Sequence, residues 1–120
     1  MGKILIADDS SFQRKILGDM MASLGYEITE ASSGREVLEA LNNDSFDCLC
    51  LDLLMPEMTG MEVLETLQHQ TDVPPIIVIS ADIQEKKKEQ CMALGARAFI
   101  NKSIKRAELE EHLNKVIDSE

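Results

Sequence analysis

Aromatic side chains are nearly missing from this chain of 120 residues, which has three phenylalanines, one tyrosine and no tryptophan. With Phe12, Tyr26, Phe46 and Phe99 as the whole set, the core must be aliphatic plus methionine. A stacking platform for nucleic-acid bases has little to be built from. Positive charge is also scarce: 12 Lys+Arg face 22 Asp+Glu, a formal net charge of −10. That excess argues against general binding to nucleic acid or to anionic membranes. No apolar run approaches the roughly 20 residues of a membrane span. The first strand-like segment starts at residue 3, so no signal peptide is expected. The three cysteines, Cys48, Cys50 and Cys91, are odd in number and lack metal or C-x-x-C spacing. They are expected to be buried, reduced and inert, which suits a cytoplasmic protein. No G-x-G-x-x-G follows the first apolar run, which weighs against a dinucleotide site.

What is present reads as one domain. The chain is 44% hydrophobic and 28% charged, and a domain of this size buries roughly two-thirds of its unfolded surface. Short, nearly continuous apolar runs lie at Ile4–Ala7, Cys48–Leu51, Ile76–Ile79 and Ala98–Ile100. Such runs fit strands of a parallel sheet covered on both faces. Tyr26 to Ala31 alternates more and suits a strand nearer an edge. Helical spacing fills the gaps: Phe12, Ile16, Met20 and Leu24 step by four, and Val37/Leu38 leads to Leu41. Val63/Leu64 leads to Leu67, and Leu109 and Leu113 lead to Val116/Ile117.

Punctuation agrees. Ser10 or Ser11 can cap the first helix and Gly25 can end it; Ser33 precedes the second and Gly60 opens the third. Pro74-Pro75 stops the chain before the fourth strand, and Gly95 closes the fourth helix. The order is β-α five times over. Since strand–helix–strand crossovers are right-handed, the expected architecture is an α/β doubly wound sheet of five parallel strands with helices on both faces, a three-layer sandwich.

In such a sheet ligands bind beyond the carboxyl ends of the strands. Asp8 and Asp9 follow the first run, Asp52 the third, Ser80 the fourth and Lys102 the fifth. Any one of these is a common strand-end residue, but together they gather carboxylates, a hydroxyl and an ammonium at one edge. Neighbouring carboxylates repel, and a hard divalent cation relieves that repulsion. Few protein oxygens plus retained waters is the preference of Mg²⁺. A carboxylate beside Mg²⁺ is in turn a nucleophile for a phosphoryl group, forming an acyl phosphate. Asp52, after a buried run, is the expected nucleophile. Asp8 and Asp9 complete the metal site with it, while Lys102 and Ser80 meet the phosphoryl oxygens.

The charge is uneven along the chain. Residues 1–81 hold 14 acids and 4 bases, and residues 82–120 hold 8 of each. Between residues 86 and 106 lie seven bases and a single acid, Glu89.

Taken together, Ile4-Leu5-Ile6-Ala7-Asp8-Asp9-Ser10, Leu51-Asp52-Leu53-Leu54-Met55-Pro56-Glu57-Met58-Thr59-Gly60, Ile79-Ser80-Ala81 and Ala93-Leu94-Gly95-Ala96 leading to Phe99-Ile100-Asn101-Lys102 resemble a response-regulator receiver domain of the CheY type. The resemblance spans essentially the whole chain and implies the flavodoxin-like strand order 2-1-3-4-5. It makes Asp52 the phosphoacceptor, Asp8 and Asp9 the Mg²⁺ acids, Lys102 the site lysine, and Leu54 the donor of a backbone carbonyl to the metal. Ser80 becomes the switch hydroxyl and Phe99 the switch aromatic, while Leu54 and Asp82 flank the path of a hydrolytic water.

By the same resemblance the phosphoryl donor is a phosphohistidine on a histidine kinase or a histidine phosphotransfer protein. The signal is read by a protein target on the face of the fourth helix, fifth strand and fifth helix, which carries most of the basic window. The implied protein is a two-component or phosphorelay switch, chemotaxis being one such pathway. It is a single receiver domain over residues 1–120 without an output domain, a monomer or a dimer formed on phosphorylation, with no turnover of an external substrate.

Two positions depart from the family. Ser103 follows the lysine where proline is usual, which leaves the loop geometry open, and Phe99 stands where tyrosine is frequent. A receiver-shaped protein scaffold that is never phosphorylated is the alternative reading. A phosphohydrolase with an aspartyl intermediate is disfavoured because Leu54 takes the place of a second acid two residues after Asp52.

Overall fold

The computed structural model describes residues 2–81 and 84–118. Strands β1 (Lys3–Ala7), β2 (Glu27–Ala31), β3 (Cys48–Leu51), β4 (Ile76–Ser80) and β5 (Ala98–Asn101) alternate with helices α1 (Ser11–Ser23), α2 (Gly34–Asn43), α3 (Gly60–Gln68), α4 (Glu85–Ala93) and α5 (Arg106–Asp118). All strand pairs are parallel, in the order β2-β1-β3-β4-β5, with Ile4 opposite Cys48, Leu49 opposite Ile76 and Ile77 opposite Ala98.

The continuous apolar runs follow from two-sided burial. Leu5, Ala7, Leu49, Leu51, Ile76 and Val78 face one layer, where Val37 of α2, Val63, Leu64 and Leu67 of α3 and Cys91 of α4 pack on them. Their neighbours Ile4, Ile6, Cys48, Cys50, Ile77 and Ile79 face the other, against Leu17 and Met21 of α1 and Leu109, Leu113 and Val116 of α5. Adjacent strand residues point to opposite faces, so both must be apolar when both faces are covered. All three cysteines are buried and free.

The helix ends follow the expected punctuation. Ser10 accepts from the Gln13 amide at 3.3 Å and Ser33 from the Glu36 amide at 3.2 Å. Gly25 and Gly95 take φ of +99° and +106° just after α1 and α4, a region that suits a residue without Cβ.

Two expectations need correction. The buried face of α1 is centred on Leu17 and Met21, with Ile16, Met20 and Leu24 on its flank, whereas Phe12 is 69% exposed. Successive steps of four overshoot a turn by about 40° each, so such a row winds off the buried face within three steps. β5 is also less covered than its apolar run suggests. It is the edge strand opposite β2, with Ala98 and Phe99 half-buried and Asn101 exposed. The helix that precedes it, α4, buries only Cys91.

Candidate functional site

Strand geometry brings the acids together. The Asp8 amide donates to the Ala31 carbonyl at 3.1 Å and the Asp52 amide to the Ala7 carbonyl at 2.9 Å, so each carboxylate leaves the sheet just past a strand end. Asp8 is 1% and Asp52 3% exposed, whereas Asp9 faces solvent. Among the described residues these are the group of three acids whose ligand oxygens lie close enough to share a metal ion, within 4.8 Å of one another.

Each acid is held differently. The Ser10 amide donates to Asp8 Oδ1 at 2.9 Å, which turns Oδ2 toward the interior of the cluster. Asp8 Oδ2 and both Asp52 oxygens are buried without a well-formed hydrogen bond. The charge that approaches them is Lys102 Nζ, 3.0 Å from Asp8 Oδ2 and 3.3 Å from Asp52 Oδ2. Burial pushes the Asp52 carboxyl above its ordinary range and Asp8 pushes it the same way; Lys102 and the Leu54 amide offset this only in part. Burial draws the Lys102 ammonium down, but the two carboxylates outweigh it and hold its pKa above the ordinary value.

The loop after Asp52 depends on a close approach. Gly60 opens α3 and donates its amide to the Leu53 carbonyl at 3.0 Å. A Cβ at this position would press into the Asp52 carbonyl oxygen and lie 2.7 Å from Leu53 Cα. Leu54 is 59% exposed, and it is its amide that meets the Asp52 carboxylate.

The lysine loop forms without proline. No peptide bond among the described residues is cis, so Lys102–Ser103 is trans. Asn101 Oδ1 accepts from the Ser103 amide at 2.9 Å and from Ser103 Oγ at 2.8 Å, and the Ile104 amide closes a turn onto the Asn101 carbonyl at 3.1 Å. This side-chain turn fixes the loop where proline does so elsewhere. The Lys102 amide donates to the Ser80 carbonyl at 3.1 Å, which ties the lysine to the end of β4.

Asp8, Asp9, Asp52 and Lys102 thus form one cluster. Ser80 is fully buried at the end of the neighbouring strand β4. Phe99 is half-buried on the α2–α3–α4 side of the sheet and packs on that core. Asp82, expected beside a water path, lies outside the described residues. One residue the sequence reading passed over is Arg14, which donates from Nη1 to the Asp8 carbonyl at 2.6 Å and from Nε to Glu30 Oε1 at 2.8 Å.

The donor set fits a small hard cation. Three carboxylates converge, with buried oxygens that lack well-formed hydrogen bonds and one ligand facing solvent, which suits an ion that keeps water.

The family model for the response regulator receiver domain matches residues 4–114. The chain belongs to this family. It is 36% identical to the chemotaxis protein CheY of Thermotoga maritima, over 97% of this chain and 98% of that protein. It is 32% identical to hybrid signal transduction histidine kinase L of Dictyostelium discoideum, spanning 96% of this chain but 7% of that protein. Among solved structures, Vibrio cholerae CheY4 superposes with a TM-score of 0.90 at 30% identity, covering 97% of this chain and 98% of that one. The receiver domain of the Pseudomonas aeruginosa sensor kinase PA1611 matches with a TM-score of 0.89 at 25% identity, over 98% of each chain, and was solved with a magnesium ion in its active-site cleft. The chain is therefore a CheY-like receiver of two-component signalling, and it contains no helix long and apolar enough to cross a membrane among its described residues.

Proposed function

We propose that this receiver takes a phosphoryl group from a phosphohistidine of a histidine kinase or histidine phosphotransfer protein onto Asp52. The observation that carries this reading is the buried Asp52 carboxylate, without a well-formed hydrogen bond and raised in pKa, facing Asp8 and the Lys102 ammonium. Such a group is costly for stability and useful as a nucleophile. Asp8, Asp9, Asp52 and the Leu54 carbonyl hold Mg²⁺, which when bound neutralises the carboxylates and the phosphoryl oxygens. An Asp52 oxygen attacks phosphorus as the phosphorus–nitrogen bond breaks; the donor imidazole, protonated at its other ring nitrogen, leaves as neutral imidazole and Asp52 becomes an acyl phosphate. Lys102 meets the charge on the transferred oxygens.

The acyl phosphate then exchanges partners within the domain. Its oxygens draw in Ser80 and Lys102 at the ends of β4 and β5, and Phe99 turns inward to fill the space. The face of α4, β5 and α5, with Lys86, Lys87, Lys88, Arg97 and Lys105 along its segments, then meets an acidic protein target. Residues 1–120 act as one receiver unit in the cytoplasm, monomeric or dimeric on phosphorylation, and water later hydrolyses the acyl phosphate without turnover of an external substrate.

The test is intact mass after incubation with acetyl phosphate and Mg²⁺. The expected gain is one phosphoryl group, absent without Mg²⁺ and absent in Asp52→Ala. Equal labelling of Asp52→Ala would remove Asp52 from the role.

A further inference from the structure

We infer that Arg14 is a positioning residue for the cation site, one that holds the Asp8–Asp9 peptide in the orientation that brings Asp9 to the cluster; the inference rests on the proposed role of the acids as Mg²⁺ ligands. Arg14 sits in the first half of α1, four residues after the cap Ser10, with its side chain 15% exposed. A cation there is opposed by the positive end of the helix dipole, and the first turn of α1 has no acid to balance it. Solvation is also largely lost. A charge kept against both effects has a task elsewhere.

That task is visible in its partners. Asp8 is fixed at its amide by the Ala31 carbonyl, at Oδ1 by the Ser10 amide and at its carbonyl by Arg14 Nη1. The last of these sets the plane of the peptide that leads into Asp9. Asp9 is the exposed member of the three acids and has no burial to steer it, so its place near Asp8 and Asp52 depends on this main-chain plane. Arg14 is itself anchored by Nε on Glu30 Oε1 of β2. The two nitrogens of one planar guanidinium therefore link the edge strand to the acid pair, a geometry that a lysine cannot reproduce.

The sign of one measurement separates positioning from electrostatics. If Arg14 acted only as a nearby positive charge, its removal would tighten binding of a cation. Positioning predicts the reverse. By titration calorimetry with Mg²⁺ alone, Arg14→Met should weaken affinity about tenfold, as loss of a group that orients a ligand does. Arg14→Lys keeps the charge and one hydrogen bond, and should fall between wild type and Arg14→Met. The Asp9 amide nitrogen, whose peptide carries the Asp8 carbonyl, should shift in Arg14→Met without metal, and urea unfolding of each variant reports stability separately. Unchanged or tighter Mg²⁺ binding in both variants overturns the inference. If Arg14→Met fails to fold, Arg14→Lys decides, since pure charge predicts no change for it. A wild type that takes up no Mg²⁺ overturns the metal reading of the site, and the Asp9 amide shift then decides whether Arg14 holds this peptide.

Discussion

Two sets of carboxylates contrast in their surroundings, those at helix starts and strand flanks of the surface and those at the carboxyl edge of the sheet. At the surface, Glu62 closes a reciprocal cap with Thr59, Glu36 accepts from the Ser32 amide at 2.7 Å and hydroxyl at 3.0 Å, and Asp44 pairs with Lys3. Hydrogen bonds from Ser32 hold Glu36 below the ordinary carboxylate range, and the bond with Lys3 does the same for Asp44. At the sheet edge the direction reverses, because burial lifts Asp52. One region uses acids to finish the fold. The other holds buried carboxylate oxygens without well-formed hydrogen bonds.

The two regions respond oppositely to pH. Glu36 and Asp44 contribute stability above the unfolded carboxylate value, and it is lost as pH falls through their lowered native values. Asp52 contributes the other way: its share is present below the unfolded value, near pH 4, and is lost as pH rises through its raised native value.

Substitutions can sharpen this contrast, beginning with the largest effect. Gly60→Ala forces a methyl group against the Asp52 main chain, with no flexible side chain to yield; it should destabilise by about 3 kcal/mol in urea unfolding. A loss near zero would mean that the loop after Asp52 is not held by this contact. Asp52→Asn removes a buried charge, so in the absence of metal at pH 7 it should gain about 1–2 kcal/mol and flatten the pH slope between the two Asp52 values. Destabilisation instead would show that Asp52 is as well satisfied as the surface acids. The smallest effect is expected for Asp44→Asn, which loses an exposed ion pair with Lys3 and should lower the urea midpoint only slightly.

The sheet was legible because double burial writes itself as unbroken apolar runs, as at Cys48–Leu51 and Ile76–Ile79. The convergence of Asp8, Asp9, Asp52 and Lys102 was legible because strand ends of a parallel sheet share an edge. The phase of α1 was not, since a row stepping by four drifts and Phe12 ended in solvent. Nor was the loop after Lys102, where the Asn101 side chain does the work of proline through bonds that leave no spacing pattern. Arg14 escaped notice because its target is a backbone carbonyl, which any residue supplies. Its one signal in the sequence was a base near the start of a helix, where the dipole disfavours it.

The most direct measurement is the unfolding free energy with and without Mg²⁺, for wild type, Asp9→Asn and Asp44→Asn. At a metal concentration a hundredfold above Kd, the account predicts about 2.7 kcal/mol of added stability in wild type and Asp44→Asn. It predicts most of that gain lost in Asp9→Asn. An equal Mg²⁺ effect in all three proteins, or none in wild type, would contradict the claim that the carboxylates of the sheet edge wait for a cation.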